Sequence, residues 1–313
     1  MVKSLYKKNK VMGGIFGLII GDAVGVPYEF YEAEELPEIG KIDMIPPKEF
    51  KKSYPDVPYG TYSDDSAQFL CILDSYIQND SFNIEDIADK ISRWLNEGLW
   101  AVDNIVFDVG NQTLKAIREF KKGTSPLKSG FIVPNGKGNG SLMRDLGIVL
   151  LHKGTEEELI KNSHEQSMIT HGHICNQICC ALYSLIARNL LLGHEFDDSY
   201  NMAVKKLKEV YKLKSDYLEE LEDNIISNNL IESGTGYVVD CLKSTFKVIR
   251  ESNSYEETIK KSIALGNDTD TTAAVAGGLA GIIYGYDNIP KRWIKELRGK
   301  EKILNIINNI EYN

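Results

Sequence analysis

Six side chains in two short stretches could act together through oxygen. "YSDDSAQFL" (62–70) holds Ser63, Asp64 and Asp65, and "LGNDTDTTAA" (265–274) holds Asp268, Asp270 and Thr271. Each stretch alone reads as a helix start, because Ser, Asp and Thr cap helix N-termini and acidic residues suit the positive end. Together they supply four carboxylates and two hydroxyls, with no sulfur or imidazole. That hard, oxygen-only set suits Mg²⁺ or another hard divalent ion. Four carboxylates brought together repel unless cations or protons neutralise them. Two helix starts converging on one or two Mg²⁺ ions is the more economical account. Such ions bind and polarise substrate hydroxyls and position water.

Other groups could serve the same chemistry. In "GLIIGDAVGVPYEF", Asp22 and Glu29 end an apolar run, where burial perturbs a carboxyl and fits it for acid–base work. Asp22 could equally cap or brace, and Gly21 and Gly25 let the backbone approach a ligand or a neighbouring helix. "FDVGNQT" offers Asp108 and Asn111 one turn apart, as an N-cap with its helix start or as an acid with a polar neighbour. "PNGKGNGSLMR" sets Gly136, Gly138, Asn139, Gly140 and Ser141 in a run whose free amides could cradle a diphosphate. It matches no P-loop, since Lys137 lacks the Walker spacing. His171, in "MITHGH", stands where a helix begins, and a satisfied structural histidine is its default. Cys175 and Cys179 lie one turn apart with His171 a turn before, but tetrahedral zinc wants a fourth ligand. Small buried thiols in a reducing cytoplasm are the plainer reading of the five cysteines.

Helices must position these groups. Apolar residues recur at three- and four-residue intervals over 67–78, 84–98, 110–123, 173–193, 199–213, 254–266 and 271–285. Several of these runs close on Gly, as a left-handed C-cap requires. No alternating strand pattern appears, so the class is all-α. Two irregular stretches, 36–62 and 124–141, read as functional loops. The Lys- and Glu-rich section 203–223 reads as a solvated helix pair on the outside.

A chain of 313 residues with 42% hydrophobic and 26% charged residues has ample material for a large core. A net charge of -9 argues against general nucleic-acid binding, whose footprint is a basic face. The N-terminal "MVKSLYKKNKVMGGIFGLII" has the basic and apolar regions of a signal peptide. It lacks a small-residue cleavage site, and the apolar run reads as too short to span a bilayer. It is taken as the first core helix, and no membrane partner is expected.

Two acidic magnesium motifs in an all-α chain also bring terpene synthases to mind, but their third acidic positions are filled by Gln68 and Val275. In order, "GGIFGLIIGDAVGVPYEF", "GTYSDDSAQ", "FDVGNQT", "GNGSLMR", "SMITHGH", "SGTGYVVDCL" and "LGNDTDTTAAVAGGLAGIIYG" closely resemble the ADP-ribosylglycohydrolases of the dinitrogenase reductase-activating glycohydrolase type, over about residues 12 to 295.

The resemblance implies one all-α domain over 1–313, a compact orthogonal multi-helix bundle with a dinuclear Mg²⁺ site in a central cleft; Mn²⁺ is the alternative ion. Ser63, Asp64, Asp65, Asp268, Asp270 and Thr271 match the metal ligands. Glu29 matches a carboxylate near the metals, and Asp108 and Asn111 match active-site positions of arginine-specific members. The 136–141 loop, His171 and Tyr237 match positions that hold phosphates, ribose and adenine. Ser63 stands where Thr is usual and keeps the oxygen. Asn267 replaces a usual Gly and tolerates a left-handed backbone. The implied activity is Mg²⁺-dependent removal of ADP-ribose from a protein side chain in the cytoplasm, an arginine linkage favoured. The alternatives are another ADP-ribosyl compound, such as a modified nucleobase or small-molecule conjugate, and a non-catalytic ADP-ribose-binding relative.

Overall fold

The computed structural model describes residues 2–4, 6–227, 230 and 232–312. Its helices of nine residues or more are α1 (Lys8–Gly25), α2 (Asp64–Asn79), α3 (Ile84–Glu97), α4 (Asn111–Lys121), α5 (Glu156–Met168), α6 (Ile174–Leu192), α7 (Phe196–Tyr211), α8 (Val238–Glu251), α9 (Tyr255–Ile263) and α10 (Thr269–Tyr284). Among the described residues, the only strands are Val2–Lys3 and Ile310–Glu311, paired in parallel. The fold is all-α, as the periodicity predicts.

The centre of the fold is the contact between α1 and α10. Gly13, Gly17, Gly21 and Gly25 recur every fourth residue and line one face of α1. A Cβ on Gly21 would lie 2.1 Å from the Ala273 carbonyl oxygen, and one on Gly25 would lie 2.4 Å from Asp270 Cα. Only glycine permits this approach, so the stripe serves a neighbouring helix rather than a ligand. It brings the start of α10, with its acidic residues, against the end of α1. The Tyr255 hydroxyl donates to the buried Gly17 carbonyl at 2.7 Å and closes the seam from α9. Replacing Gly21 with Val forces a side chain onto backbone that cannot rotate away. Denaturant unfolding should show a loss of at least ~3 kcal/mol.

The sequence reading of the N-terminal run needs one correction. Residues Lys8–Tyr28 form a 21-residue helical run, long and apolar enough by length and composition to cross a bilayer, and Ile174–Leu192 passes the same test. Burial assigns them to the core, since 100% and 89% of their apolar windows lie inside the protein. Two helices also escaped the periodicity. α5 is mostly polar but opens with a capping box in which Thr155 and Glu158 bond reciprocally. α8 is rich in Val, Thr, Phe and Ile, residues that read equally as strand.

Gly98 and Gly193 do close α3 and α6 in the left-handed conformation. The charged section 203–223 is only partly an outer helix pair. Its second half turns inward through Glu220–Ile226, where Glu220 pairs with Lys137 at 3.4 Å.

Candidate active site

Asp22, offered by the sequence as a perturbed carboxyl or as a cap or brace, organises the site. Wholly buried in α1, it accepts the Ser63 amide at 2.8 Å, the Ser66 amide at 2.9 Å and the Ser66 hydroxyl at 2.5 Å. It therefore holds the first turn of α2 across the α1 end. Ser63 is also the N-cap, its Oγ accepting the Asp65 amide at 3.4 Å. Asp268 is the N-cap position of α10 but makes no side-chain cap, and its Oδ2 accepts from Asn139 Nδ2 at 2.9 Å instead. Capping thus accounts for Ser63 and leaves the carboxylates free for other work.

Those carboxylates converge. One oxygen each of Asp22, Asp65 and Asp270 lies within 4.8 Å of the other two, and the same holds for Glu29, Asp108 and Asp270. Asp270 belongs to both triads. Its Oδ1 accepts the Thr271 amide at 2.8 Å, while its Oδ2 is buried with no partner among the described residues. Asp65 is alike, with Oδ1 taking the Thr271 hydroxyl at 3.2 Å and Oδ2 orphaned. Orphaned buried carboxylate oxygens are costly and rare. A divalent cation satisfies both, and the oxygen-only donor set fits a hard one. These residues fit the implied metal.

Electrostatics describe the same crowding. Burial first, and then neighbouring carboxylates, hold Asp64, Asp65 and Asp270 well above the ordinary range. Burial, helped by Asp108 and Asp268, pushes Glu29 up to about 9, and burial raises Asp22 to about 7. Asp108 is raised by burial too. Without a cation, protons must take its place.

A cavity of about 250 Å³ opens above this floor. Glu29, Asp64, Asp268 and Thr271 line one side, and Asp108 and Asn111 line the entry to α4. Asp108 is no N-cap: Gly110 takes that position, and Asp108 is held at φ 54°, a left-handed conformation uncommon outside Gly, Asn and Asp. Gly138, Asn139, Gly140 and His171 form the glycine-rich wall, which joins the acidic one where Asn139 meets Asp268.

The loop is less open than its glycines suggested. The Gly136 and Asn139 amides donate to the Val133 and Gly236 carbonyls at 2.8 and 3.0 Å. Among the described residues, the Gly138, Gly140 and Ser141 amides have no protein acceptor. The Ser141 side chain lies behind the loop, wholly buried, with its Oγ accepting from Ser167 at 2.9 Å. Tyr237 is half-buried beside the loop, its backbone bridged to Gly138, and does not line the cavity. His171 is not at a helix start. His173 caps α6, its Nδ1 accepting the Cys175 amide at 3.1 Å, and His171 turns into the cavity wall. The five cysteines are buried and free, and none belongs to either acidic triad.

Sequence reasoning missed Tyr54, whose hydroxyl donates to Glu29 Oε2 at 2.7 Å from the irregular stretch after α1. No local signal marks it. It also missed Gln68, whose Nε2 donates to Asp64 Oδ2 at 2.9 Å, although a spacing of one helical turn pairs the two. The left-handed Asn267 was anticipated and stands at φ 60°.

Comparison with known proteins agrees with this arrangement. The family model described as ADP-ribosylglycohydrolase matches residues 3–312. The chain is 29% identical to the ADP-ribosylarginine hydrolase Tri1 of Serratia proteamaculans, over 97% of this chain and 79% of that one. It is 24% identical to the ADP-ribosyl-[dinitrogen reductase] glycohydrolase of Rhodospirillum rubrum, over 92% and 90% of the two chains. A solved ADP-ribosylglycohydrolase-related protein complex shares the fold, with a TM-score of 0.76 and 24% identity over 96% of each chain. The acidic floor, the glycine wall and the family match converge, and the chain belongs to the ADP-ribosylglycohydrolase family.

Proposed function

We propose that this chain, acting as one unit over residues 1–313, hydrolyses the bond between ADP-ribose and a protein side chain, an arginine linkage favoured. The observation that carries this reading is the pair of acidic triads sharing Asp270 beside a cavity walled by the glycine loop. The relatives named as ADP-ribosylarginine hydrolases support the linkage. Ser63, Asp64, Asp65, Asp268, Asp270 and Thr271 would hold two divalent ions, Mg²⁺ first and Mn²⁺ as the alternative. When bound, the ions supply Lewis acidity toward the hydroxyls of the distal ribose.

The chain's own residues do the rest. The free amides of Gly138, Gly140 and Ser141 and the ring of His171 take the phosphates, with Asn111 and Tyr237 at the edges of the ligand. Tyr54 occupies one oxygen of Glu29 and leaves the other to hold a proton. Asp108 faces the cavity and exchanges a proton with the guanidinium leaving group or with water as the C1–N bond breaks through an oxocarbenium-like state. Water then adds at C1 and yields free ADP-ribose. Buried free thiols suit a reducing cytoplasm, where we place the enzyme.

The test is release of ADP-ribose from an arginine-ADP-ribosylated protein with Mg²⁺ and then with EDTA. Release should need the cation. Asp108→Ala should lose roughly 10²-fold or more of turnover while ADP-ribose still binds. Unchanged turnover would remove Asp108 from the mechanism. Binding without release from the arginine substrate would move the linkage to another ADP-ribosyl compound.

A further inference from the structure

Arg144 is wholly buried and, among the described residues, has no carboxylate partner. Its guanidinium instead donates from Nε to Gln166 Oε1 at 3.0 Å and from Nη1 to Gln68 Oε1 at 2.7 Å. From Nη2 it donates to the Gln166 carbonyl at 3.1 Å and to Thr170 Oγ1 at 2.7 Å. Two of these contacts reach the cavity by one further step. Gln68 Nε2 donates to Asp64 Oδ2 on the acidic side, and Thr170 Oγ1 lies 2.8 Å from His171 Nδ1 on the glycine side.

A guanidinium only donates. Gln68 must therefore turn its oxygen to Arg144 and its amide nitrogen to Asp64. Thr170 Oγ1 accepts from Arg144, so its single hydrogen needs another acceptor, and His171 Nδ1 is the one within reach. Were Nδ1 protonated, the buried Thr170 hydrogen would have none. That difference is worth roughly 5- to 150-fold in the tautomer ratio. A doubly protonated ring is opposed by burial and by the Arg144 charge.

We infer that Arg144 is a positioning residue that sets the hydrogen-bond polarity of both cavity walls, fixing His171 as its Nε2–H tautomer through Thr170 and orienting Gln68 on Asp64. Nε2 faces the two loop glycines: a Cβ on Gly138 or Gly140 would stand 3.4 or 3.3 Å from it. It has no acceptor among the described residues, so it presents one N–H donor where the wall carries no side chain. The ligand atom it fits is an acceptor oxygen, of a phosphate or of a ribose hydroxyl. Only this ligand assignment rests on the ADP-ribosyl reading; the tautomer does not.

The experiment is ¹⁵N spectroscopy of the full chain labelled at histidine, with His171 assigned by the signals that vanish in His171→Gln. In the ligand-free wild type, Nδ1 should appear as an unprotonated ring nitrogen and Nε2 as a protonated one. Thr170→Val keeps the shape and removes the relay, and should lower the tautomer ratio by at least roughly 5-fold. Arg144→Lys should lower it as well, since an ammonium lacks the planar fork. Unchanged signals from His152 and His164 would certify the fold of each variant. A wild-type ring protonated at Nδ1, or a ratio that ignores Thr170→Val, overturns the inference. ADP-ribose added afterwards should move the Nε2–H signal. If the tautomer is as inferred but ADP-ribose binds nowhere, the functional reading fails and the relay stands.

Discussion

Asp270→Asn should make the metal-free protein more stable and, in the same variant, abolish turnover. Asp270 is the residue both acidic triads share, and its Oδ2 is buried without a partner among the described residues. Asparagine keeps an oxygen for the Thr271 amide and puts an N–H donor where the orphaned oxygen stood. That donor meets the oxygens of Asp65, Glu29 or Asp108 nearby and removes one member of a mutually repelling set. The expected gain is ~1–2 kcal/mol in EDTA, the usual return from relieving strain held at an active site. Turnover should be lost, because Asp270 is the member that both acidic triads share. Thermal melts with and without Mg²⁺ provide the check. Wild type should respond to the cation, and Asp270→Asn should not. A variant less stable than wild type in EDTA, still stabilised by Mg²⁺, would mean that Asp270 serves packing and not the ion.

The second large effect is on pH. In the metal-free fold Glu29 is pushed up to about 9 and Asp22 to about 7, with Asp64, Asp65, Asp108 and Asp270 also raised, chiefly by burial. The unfolded chain releases these protons near pH 4. Above that, the folded state binds more protons than the unfolded one, so stability falls as pH rises. Their contribution is full below about pH 4 and is lost through 7 and 9. His164 and His171 work the other way, since burial lowers both to about 3. Their contribution is present above the ordinary histidine value of 6.5 and lost as pH falls toward 3. Between pH 7 and 9 the histidines are neutral in both states; the carboxylates lead the fall, and the buried thiols of Cys71, Cys179, Cys180 and Cys241, held above the ordinary thiol range by burial, add to it in the same direction toward pH 9. In EDTA, Tm should therefore fall across that window. Mg²⁺ at about 100 times its Kd should restore ~2.7 kcal/mol, roughly 5–10 °C, with the larger benefit at high pH, where fewer protons must be displaced. A flat Tm in EDTA from pH 7 to 9 would mean that the carboxylates are not crowded as described.

The acidic half of the site was legible because a hard-ion site needs several carboxylates and the helix starts gather them locally. Asp64 and Asp65 share one turn of α2, and Asp268 and Asp270 flank the start of α10. The glycine-rich wall was read less fully. His171 looked like a helix start because His173, two residues on, is the true cap. Ser141 looked like part of an anion loop, but burial behind it is a tertiary fact that no spacing encodes. Tyr54 and Arg144 reach the site from an irregular stretch and from a turn, where periodicity says nothing about direction. The glycines of α1 were visible as a choice between ligand and helix. Only the partner's backbone, 2.1 Å from a Cβ that Gly21 does not have, decides for the helix.

That glycine seam has a consequence for biosynthesis. The residues it joins lie at opposite ends of the chain, Gly13 against Gly281 and Gly25 against Asp270. A nascent polypeptide can complete α1 and α2 while α10 is still being translated, and it then has Asp65 but no Asp270. The shared member of the two acidic triads is therefore missing until Asp270 has been translated. The seam works as an interlock: a ribosome-bound fragment that ends before α10 displays only part of the acidic floor, and the floor is complete once α10 docks on α1.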